Sequence, residues 1–200
     1  MLNVLAVICA YLLGSIPSAL WIGKIFFKTD VREHGSGNLG GTNSFRVLGK
    51  KAGLTVTLMD ILKGTAATKL VLLPVFDDVT IHVLILGAIA VVGHMFPIFA
   101  GFRGGKAVAT SAGVVLGYNW LLFLVLLAVF FLALKLWKMV SLASVVIAIG
   151  AFFYGLFTLI TDKDYIFFIM ITVLATFIVY RHKENIKRIK AGTEPKVKWL

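Results

Sequence analysis

Apolar residues run almost unbroken over about 2–23, 54–76, 79–100, 107–134, 140–160 and 165–180. Such runs match the ~20 helical residues that cross a ~30 Å hydrocarbon core. The charges between them are sorted by sign. Lys24, Lys28, Arg32, Arg46, Lys50 and Lys51 follow the first run, Arg103 and Lys106 the third, Lys135 and Lys138 the fourth, and a basic tail fills 181–200. The connections at Asp77-Asp78 and Asp162-Lys163-Asp164 are acidic. Lysine and arginine favour the cytoplasmic side, so the basic segments read as cytoplasmic and the acidic turns as external.

That sorting imposes a parity. The first run enters the cytoplasm near Lys24, the second leaves at Asp77, and the third returns at Gly101. The loops at 103–106 and 135–138 are both basic, so an even number of crossings separates them. The 28 residues of 107–134 then read as two short or tilted helices, about 107–117 and 120–134, parted near Gly113, Gly117 and Tyr118-Asn119; the alternative is one long tilted span, which would invert the later topology and put the basic tail outside. The prediction is an all-α integral membrane protein of about seven transmembrane helices, some short, with the N-terminus outside and the C-terminus cytoplasmic. Residues 1–200 form a single multi-pass membrane domain, with cytoplasmic glycine-rich segments at 28–53 and 101–110 and the basic tail at 181–200.

Composition strengthens this reading. Of 200 residues, 60% are hydrophobic and 14% charged, and the mean hydropathy is +0.96. Soluble domains carry roughly 25% charged residues, so a soluble globule, a disordered chain and a secreted disulfide scaffold are poor fits. The net charge of +11 is what cytoplasmic lysine and arginine produce, and calls for no nucleic acid. The start, MLNVLAVICAYLLGSIPSALWIG, lacks a basic leader and an A-x-A cleavage site, and reads as a membrane helix rather than a signal peptide. Cys9 is the one cysteine and makes no intramolecular disulfide.

Three polar segments carry candidate chemistry. Gly35-Ser-Gly-Asn-Leu-Gly-Gly-Thr-Asn-Ser-Phe-Arg46 lies in a stretch with six glycines between 35 and 53. Glycines let successive N–H groups turn toward an anion; Ser36, Asn38, Thr42 and Asn43 add donors, and Arg46 adds a planar fork suited to phosphate. The G-x-G-x-x-G spacing of 35–40 follows a membrane helix rather than a strand, so a dinucleotide site is rejected. Phe102-Arg-Gly-Gly-Lys-Ala-Val-Ala-Thr110 precedes a helical run, the layout of a helix N-terminus facing an anion. In Arg181-His-Lys-Glu-Asn-Ile-Lys-Arg188, His182 and Asn185 share one helical face.

Blander readings compete. The first segment is otherwise a flexible loop, the second a turn obeying charge topology, and the third a basic helix on acidic lipids. The last accounts for Lys187, Lys190, Lys196 and Lys198. Asp60 and Lys63 lie ~9 Å inside the second run, where each charge costs ~3 kcal/mol; an i,i+3 ion pair and a substrate contact are equally good readings. His94 reads as a core histidine. No H-x4-D dyad, G-x-S-x-G elbow, H-E-x-x-H motif or cysteine cluster occurs, so no metal and no organic cofactor are expected.

Taken together, Gly14-Ser-Ile-Pro17, Gly35-Ser-Gly-Asn38 with Thr42-Asn43 and Arg46, Asp60 with Lys63-Gly64, Gly93-His94 with Phe96-Pro97, Gly104-Gly-Lys106 with Val108-Ala-Thr110, and Arg181-His182 with Asn185-Ile186 resemble the bacterial acyl-phosphate-dependent glycerol-3-phosphate acyltransferases of the PlsY type. The match spans nearly the whole chain in order. The resemblance implies transfer of a fatty acyl group from acyl phosphate to the 1-hydroxyl of glycerol 3-phosphate, giving lysophosphatidic acid and phosphate. It is an early step of bacterial phospholipid synthesis that uses neither acyl-CoA nor acyl carrier protein directly. It further implies the bacterial cytoplasmic (inner) membrane, an active site on the cytoplasmic side, and as partners the bilayer, the two small substrates and the soluble enzyme that supplies acyl phosphate.

On that basis Ser36, Asn38, Thr42, Arg46, His182 and Asn185 are expected to hold glycerol phosphate, and Gly104, Gly105, Lys106, Ala107, Thr110 and Ser141 the acyl phosphate. Lys106, His182 and Ser36 are the expected catalytic residues, with Asp60 and Lys63 supporting the site. The three segments are expected to converge beneath the bilayer. Two positions depart from the family pattern: Arg103 stands where lysine is expected, and Ala107 where glycine is expected. If position 107 needs a left-handed backbone, alanine costs about 1 kcal/mol there. The competing function is an anion or phosphate-ester transporter, which the absence of an internal repeat disfavours.

Overall fold

The structure, a computed structural model, describes residues 1–197. Lys198, assigned above to lipid headgroups, lies outside the described residues. Every regular element among the described residues is helical: α1 Leu2–Ser15, α2 Ser18–Phe27, α3 Gly41–Val47, α4 Lys50–Thr68, α5 Val83–Met95, α6 Val108–Tyr118, α7 Trp120–Trp137, α8 Val140–Thr161, α9 Tyr165–Arg181 and α10 Lys183–Lys190.

Proline and polar residues decide where the apolar runs break. The first run is two helices, bent by 45°, rather than one. Pro17 has no N–H and disfavours helical geometry at Ile16, whose ψ is 111°. The second run starts earlier than its apolar pattern, because Lys50 and Lys51 form the first turn of α4. Single 3-10 turns at Leu70–Leu72 and Pro74–Phe76 then end it around Pro74. The run 107–134 is parted as expected: α6 stops at Asn119, whose backbone is extended, and α7 begins at Trp120.

Three segments, Val83–Ala100, Trp120–Trp137 and Val140–Thr161, are long and apolar enough to cross a bilayer, or up to five if each bent pair is one span. Large apolar side chains such as Ile25, Phe26, Leu72, Leu132, Phe153 and Ile160 are exposed. In water that surface would be prohibitive; lipid solvates it. The chain is an integral membrane protein.

Two compact units divide the chain, Met1–Asn119 and the remainder from Trp120. In the first, α4 packs against α6 and α1 against α5 through glycine. A Cβ on Gly64 or Gly113 would strike the carbonyl of Thr110 or Ile61, and one on Gly14 or Gly93 the backbone of Ala90 or Tyr11. Such small-residue contacts let helices approach closely without a hydrophobic driving force. Thr65 Oγ1 donates to the Gly113 carbonyl across the same crossing at 2.9 Å. A separate core of Ala19, Leu20, Val31, Leu39, Val56 and Ala100 ties the loop after α2 to α4 and to the 3-10 turn Ile98–Ala100.

The second unit is α7–α10. Buried Ala133, Leu134 and Ala143 join α7 to α8. Tyr154 meets Phe167 edge-on at 6.0 Å between α8 and α9. Asp164 caps α9 by accepting from the Phe167 N–H at 3.0 Å. At His182 the chain turns by 56° into the charged helix α10.

Candidate active site

The break in the first run explains the buried charges. Ending α1 at Pro17 leaves helix-end carbonyls without intrahelical partners. Lys63 Nζ reaches across from α4 and donates to the Ile16 carbonyl at 2.8 Å. The same ammonium pairs with Asp60 Oδ1 at 2.9 Å, and Ser18 Oγ donates to that oxygen at 2.9 Å. His94 Nδ1 stands 3.6 Å from it. Asp60 is 1% exposed, Lys63 5% and His94 5%, so these groups form one enclosed polar cluster. Asp60 and Lys63 are thus an ion pair that closes a broken helix. Their partners come from α1, α2 and α5, which no local spacing reveals.

The loop from Lys28 to Gly40 is held by two side chains. Arg32 grips Asp30 with Nε at 2.9 Å and Nη2 at 2.6 Å, and its Nη1 donates to the Ala100 carbonyl at 3.4 Å. The Arg32 guanidinium holds the Asp30 carboxyl well below the usual carboxylate range. Asn43, 2% exposed, accepts from the Ser36 N–H at 2.8 Å and donates to the carbonyls of Val31 and His34 at 2.9 and 3.1 Å. Read from sequence as an anion donor, Asn43 is instead the bracket that shapes the loop. Gly35, at φ 63°, passes so close that a Cβ would strike Asn43 Oδ1.

The result is a rigid loop that leaves its chemistry outward. Ser36, Thr42 and Arg46 are exposed and Asn38 is half-buried. Thr42 and Arg46 are one turn apart on α3, and the Arg46 stem lies beside Gly35. Phe45, against Gly53, anchors α3 to α4.

The segment 101–110 is a turn leading into α6. Gly104 and Gly105 run against the end of α5: the Gly105 N–H donates to the His94 carbonyl at 3.1 Å. Lys106 is half-buried and Ala107 is 2% exposed. Ala107 has φ 62°, the left-handed conformation that favours glycine. The departure at 107 therefore carries the strain the sequence suggested. A Cα hydrogen there would relieve about 1 kcal/mol, against about 0.8 kcal/mol for the buried methyl. Ala107→Gly is expected to shift stability by under about 0.5 kcal/mol, whereas Ala112→Gly inside α6 should cost about 1 kcal/mol. Thermal unfolding in detergent reads both, and equal losses would contradict the left-handed assignment. Thr110 is fully buried at the crossing with α4, and its hydroxyl has no hydrogen-bond partner.

In the second unit, His182 is 4% exposed and its Nδ1–H donates to the Ile178 carbonyl at 2.7 Å, since a carbonyl can only accept. In the neutral ring Nε2 is then the basic nitrogen. Ser141 Oγ and Asn185 Nδ2 each donate to Glu194 Oε1 at 2.6 Å, and Arg188 Nε to Oε2 at 2.8 Å. Burial alone would raise the Glu194 carboxyl, but the bonds from Ser141, Asn185 and Arg188 outweigh it and hold it below the usual range. Glu194 thus ties together α8, α10 and the tail. Sequence reading missed it, because one acid among many lysines looks like surface; its place after Gly192, which has φ 70°, was the available signal of a turn folding back.

A family model described as glycerol-3-phosphate acyltransferase matches residues 4–192. A glycerol-3-phosphate acyltransferase of Listeria monocytogenes serovar 1/2a (strain ATCC BAA-679 / EGD-e) is 56% identical over 98% of each chain. One of Bacillus subtilis (strain 168) is 55% identical over 100% of each. The crystal structure of PlsY (YgiH), an integral membrane glycerol 3-phosphate acyltransferase, in its glycerol 3-phosphate form aligns with a TM-score of 0.85 at 38% identity, covering 98% of this chain and 95% of that one. The lysophosphatidic acid form aligns with a TM-score of 0.82, covering 97% and 94%. Each of these relatives is named a glycerol-3-phosphate acyltransferase, and none of the names supports a transporter.

Proposed function

The chain belongs to the glycerol-3-phosphate acyltransferase family, and on that premise we propose that it transfers a fatty acyl group from acyl phosphate to the 1-hydroxyl of glycerol 3-phosphate. The products are lysophosphatidic acid and phosphate. The observation that supports the donor assignment is the turn Gly104–Ala107, which leads straight into the N-terminus of α6, where the first N–H groups of a helix lack intrahelical acceptors.

Acyl phosphate is a mixed anhydride and already activated, so no acyl-enzyme is needed. The hydroxyl oxygen attacks the carbonyl carbon, the bond to the phosphoryl oxygen breaks, and phosphate leaves with the electron pair. The task is to hold two anions together and exclude water. Two unit charges about 5 Å apart repel by ~3 kcal/mol at an effective dielectric of ~20, and dianions repel several-fold more. Lys106 neutralises the donor and the departing phosphate; Gly104, Gly105 and Ala107 shape the turn that carries it, with the Gly105 N–H held on the His94 carbonyl, and Thr110 and Ser141 are assigned to the same site. Ser36, Asn38, Thr42 and Arg46 hold glycerol phosphate, and His182 and Asn185 are assigned to it as well. The hydroxyl proton goes to His182 Nε2 or to a phosphate oxygen of the substrate. Loss of turnover in His182→Ala supports the first; retained turnover with a raised KM for glycerol phosphate supports the second.

We further assign about seven transmembrane helices, an external N-terminus, and a C-terminus and active site on the cytoplasmic face of a bacterial inner membrane. The sorting of charges and the break at Asn119 support this. The soluble enzyme that makes acyl phosphate is the partner this sidedness requires. Purified protein given labelled glycerol 3-phosphate and acyl phosphate is expected to form labelled lysophosphatidic acid, and none with acyl-CoA. In sealed vesicles of this membrane, only inverted ones should acylate external substrate. Turnover with acyl-CoA alone, or with right-side-out vesicles, would defeat the assignment.

A further inference from the structure

Resting on the assignment of the Gly104–Ala107 turn to the donor, we infer that His94 is a positioning residue for that turn, fixed by Asp60 on one side and pressed against Gly105 on the other. The ring is 5% exposed inside the first unit. Its Nδ1 faces Asp60 Oδ1 at 3.6 Å. A Cβ on Gly105 would fall on His94 Nε2, and a Cβ on Gly104 would fall on the carbonyls of His94 and Met95. The His94 carbonyl takes the Gly105 N–H at 3.1 Å. Both the ring and the main chain of His94 therefore determine where the two glycines run.

Asp60 cannot shift easily to accommodate the ring. Its Oδ1 is bonded to Ser18 Oγ and to Lys63 Nζ, each at 2.9 Å, and Lys63 is pinned in turn to the Ile16 carbonyl. A continuous line of enclosed contacts thus runs from the break between α1 and α2, through α4 and α5, to the glycines ahead of α6. Phosphate recognition by backbone N–H groups depends on their placement to within about 0.5 Å. The imidazole acts here by its volume and its fixed orientation, without touching substrate. It also explains why position 105 carries glycine although its φ is not left-handed.

The test is a double-mutant cycle on steady-state kinetics, with fold checked by thermal unfolding and gel filtration. Gly105→Ala is expected to raise the KM for acyl phosphate by at least about tenfold, and to leave the KM for glycerol 3-phosphate within about twofold. His94→Ala should also raise the donor KM. Gly105→Ala introduced into His94→Ala should cost at least about tenfold less than in the wild type, a coupling of about 1.4 kcal/mol, because the methyl then takes space the ring held. His94→Gln, which keeps a donor toward Asp60, should restore most donor affinity; it replaces His94→Ala in the cycle if that variant does not fold. Equal penalties for Gly105→Ala in both backgrounds, or parallel rises in both KM values, would overturn the proposal. Lys106→Ala separates the two layers. If it leaves the donor KM unchanged, the assignment of the turn itself falls; if it raises it while His94 and Gly105 show no coupling, only the positioning role falls.

Discussion

Lys106→Ala is expected to lower kcat/KM for acyl transfer at least about a thousandfold, or ~4 kcal/mol of transition-state stabilisation. The ammonium is a compact point charge, and Lys106→Ala removes it outright. Charge on the bridging oxygen grows as phosphate departs, so the loss should appear in kcat as well as in the donor KM. Lys106→Arg keeps charge but adds a wide planar group where the chain is pressed against α5, and should recover only part of the rate. Radiolabelled product formation at saturating glycerol 3-phosphate measures this. Turnover within tenfold of wild type in Lys106→Ala would remove the lysine from the chemistry.

The second large effect concerns stability. Asp60→Ala is expected to cost about 3–5 kcal/mol, the penalty of leaving a buried ammonium without its carboxylate. That is a large share of the 5–15 kcal/mol by which folded proteins are stable, and corresponds to a fall in Tm of the order of 10 °C. Lys63→Met alone should cost a similar amount, because it leaves the buried Asp60 carboxylate without its ammonium and the Ile16 carbonyl without its donor. The double variant Asp60→Ala/Lys63→Met should be more stable than Asp60→Ala. Melting of Asp60→Ala within a degree or two of wild type, or an additive double variant, would contradict the helix-closing role of the pair.

How much of this was legible in the sequence depends on whether the deciding interaction is local. The helix break at Asn119 was readable because Tyr118-Asn119 interrupts an apolar run too long for one span and too short for two ordinary ones. The break at Pro17 was equally local, yet a continuous apolar stretch hid it. The left-handed backbone at Ala107 was foreseeable from the residue type expected there. Asp60 and Lys63 announced their pairing by i,i+3 spacing, but Ser18, Ile16 and His94 arrive from other helices. Asn43 looked like a ligand donor because linear reading does not see burial, and in the fold its amide is committed to Val31 and His34. Glu194 was invisible for the opposite reason: its three donors come from Ser141, Asn185 and Arg188, and only the folded tail collects them.

We assign the donor phosphate to the Gly104–Ala107 turn and not to the loop carrying Arg46. The direct measurement is the Kd of a 2-oxoalkyl phosphonate, in which a methylene replaces the bridging oxygen and no transfer occurs. Lys106→Ala should weaken its binding about a hundredfold, equivalent to ~2.7 kcal/mol, while Arg46→Ala stays within about threefold of wild type and glycerol 3-phosphate does not displace it. Unchanged affinity in Lys106→Ala together with a hundredfold loss in Arg46→Ala would place the donor on the other loop and contradict the account.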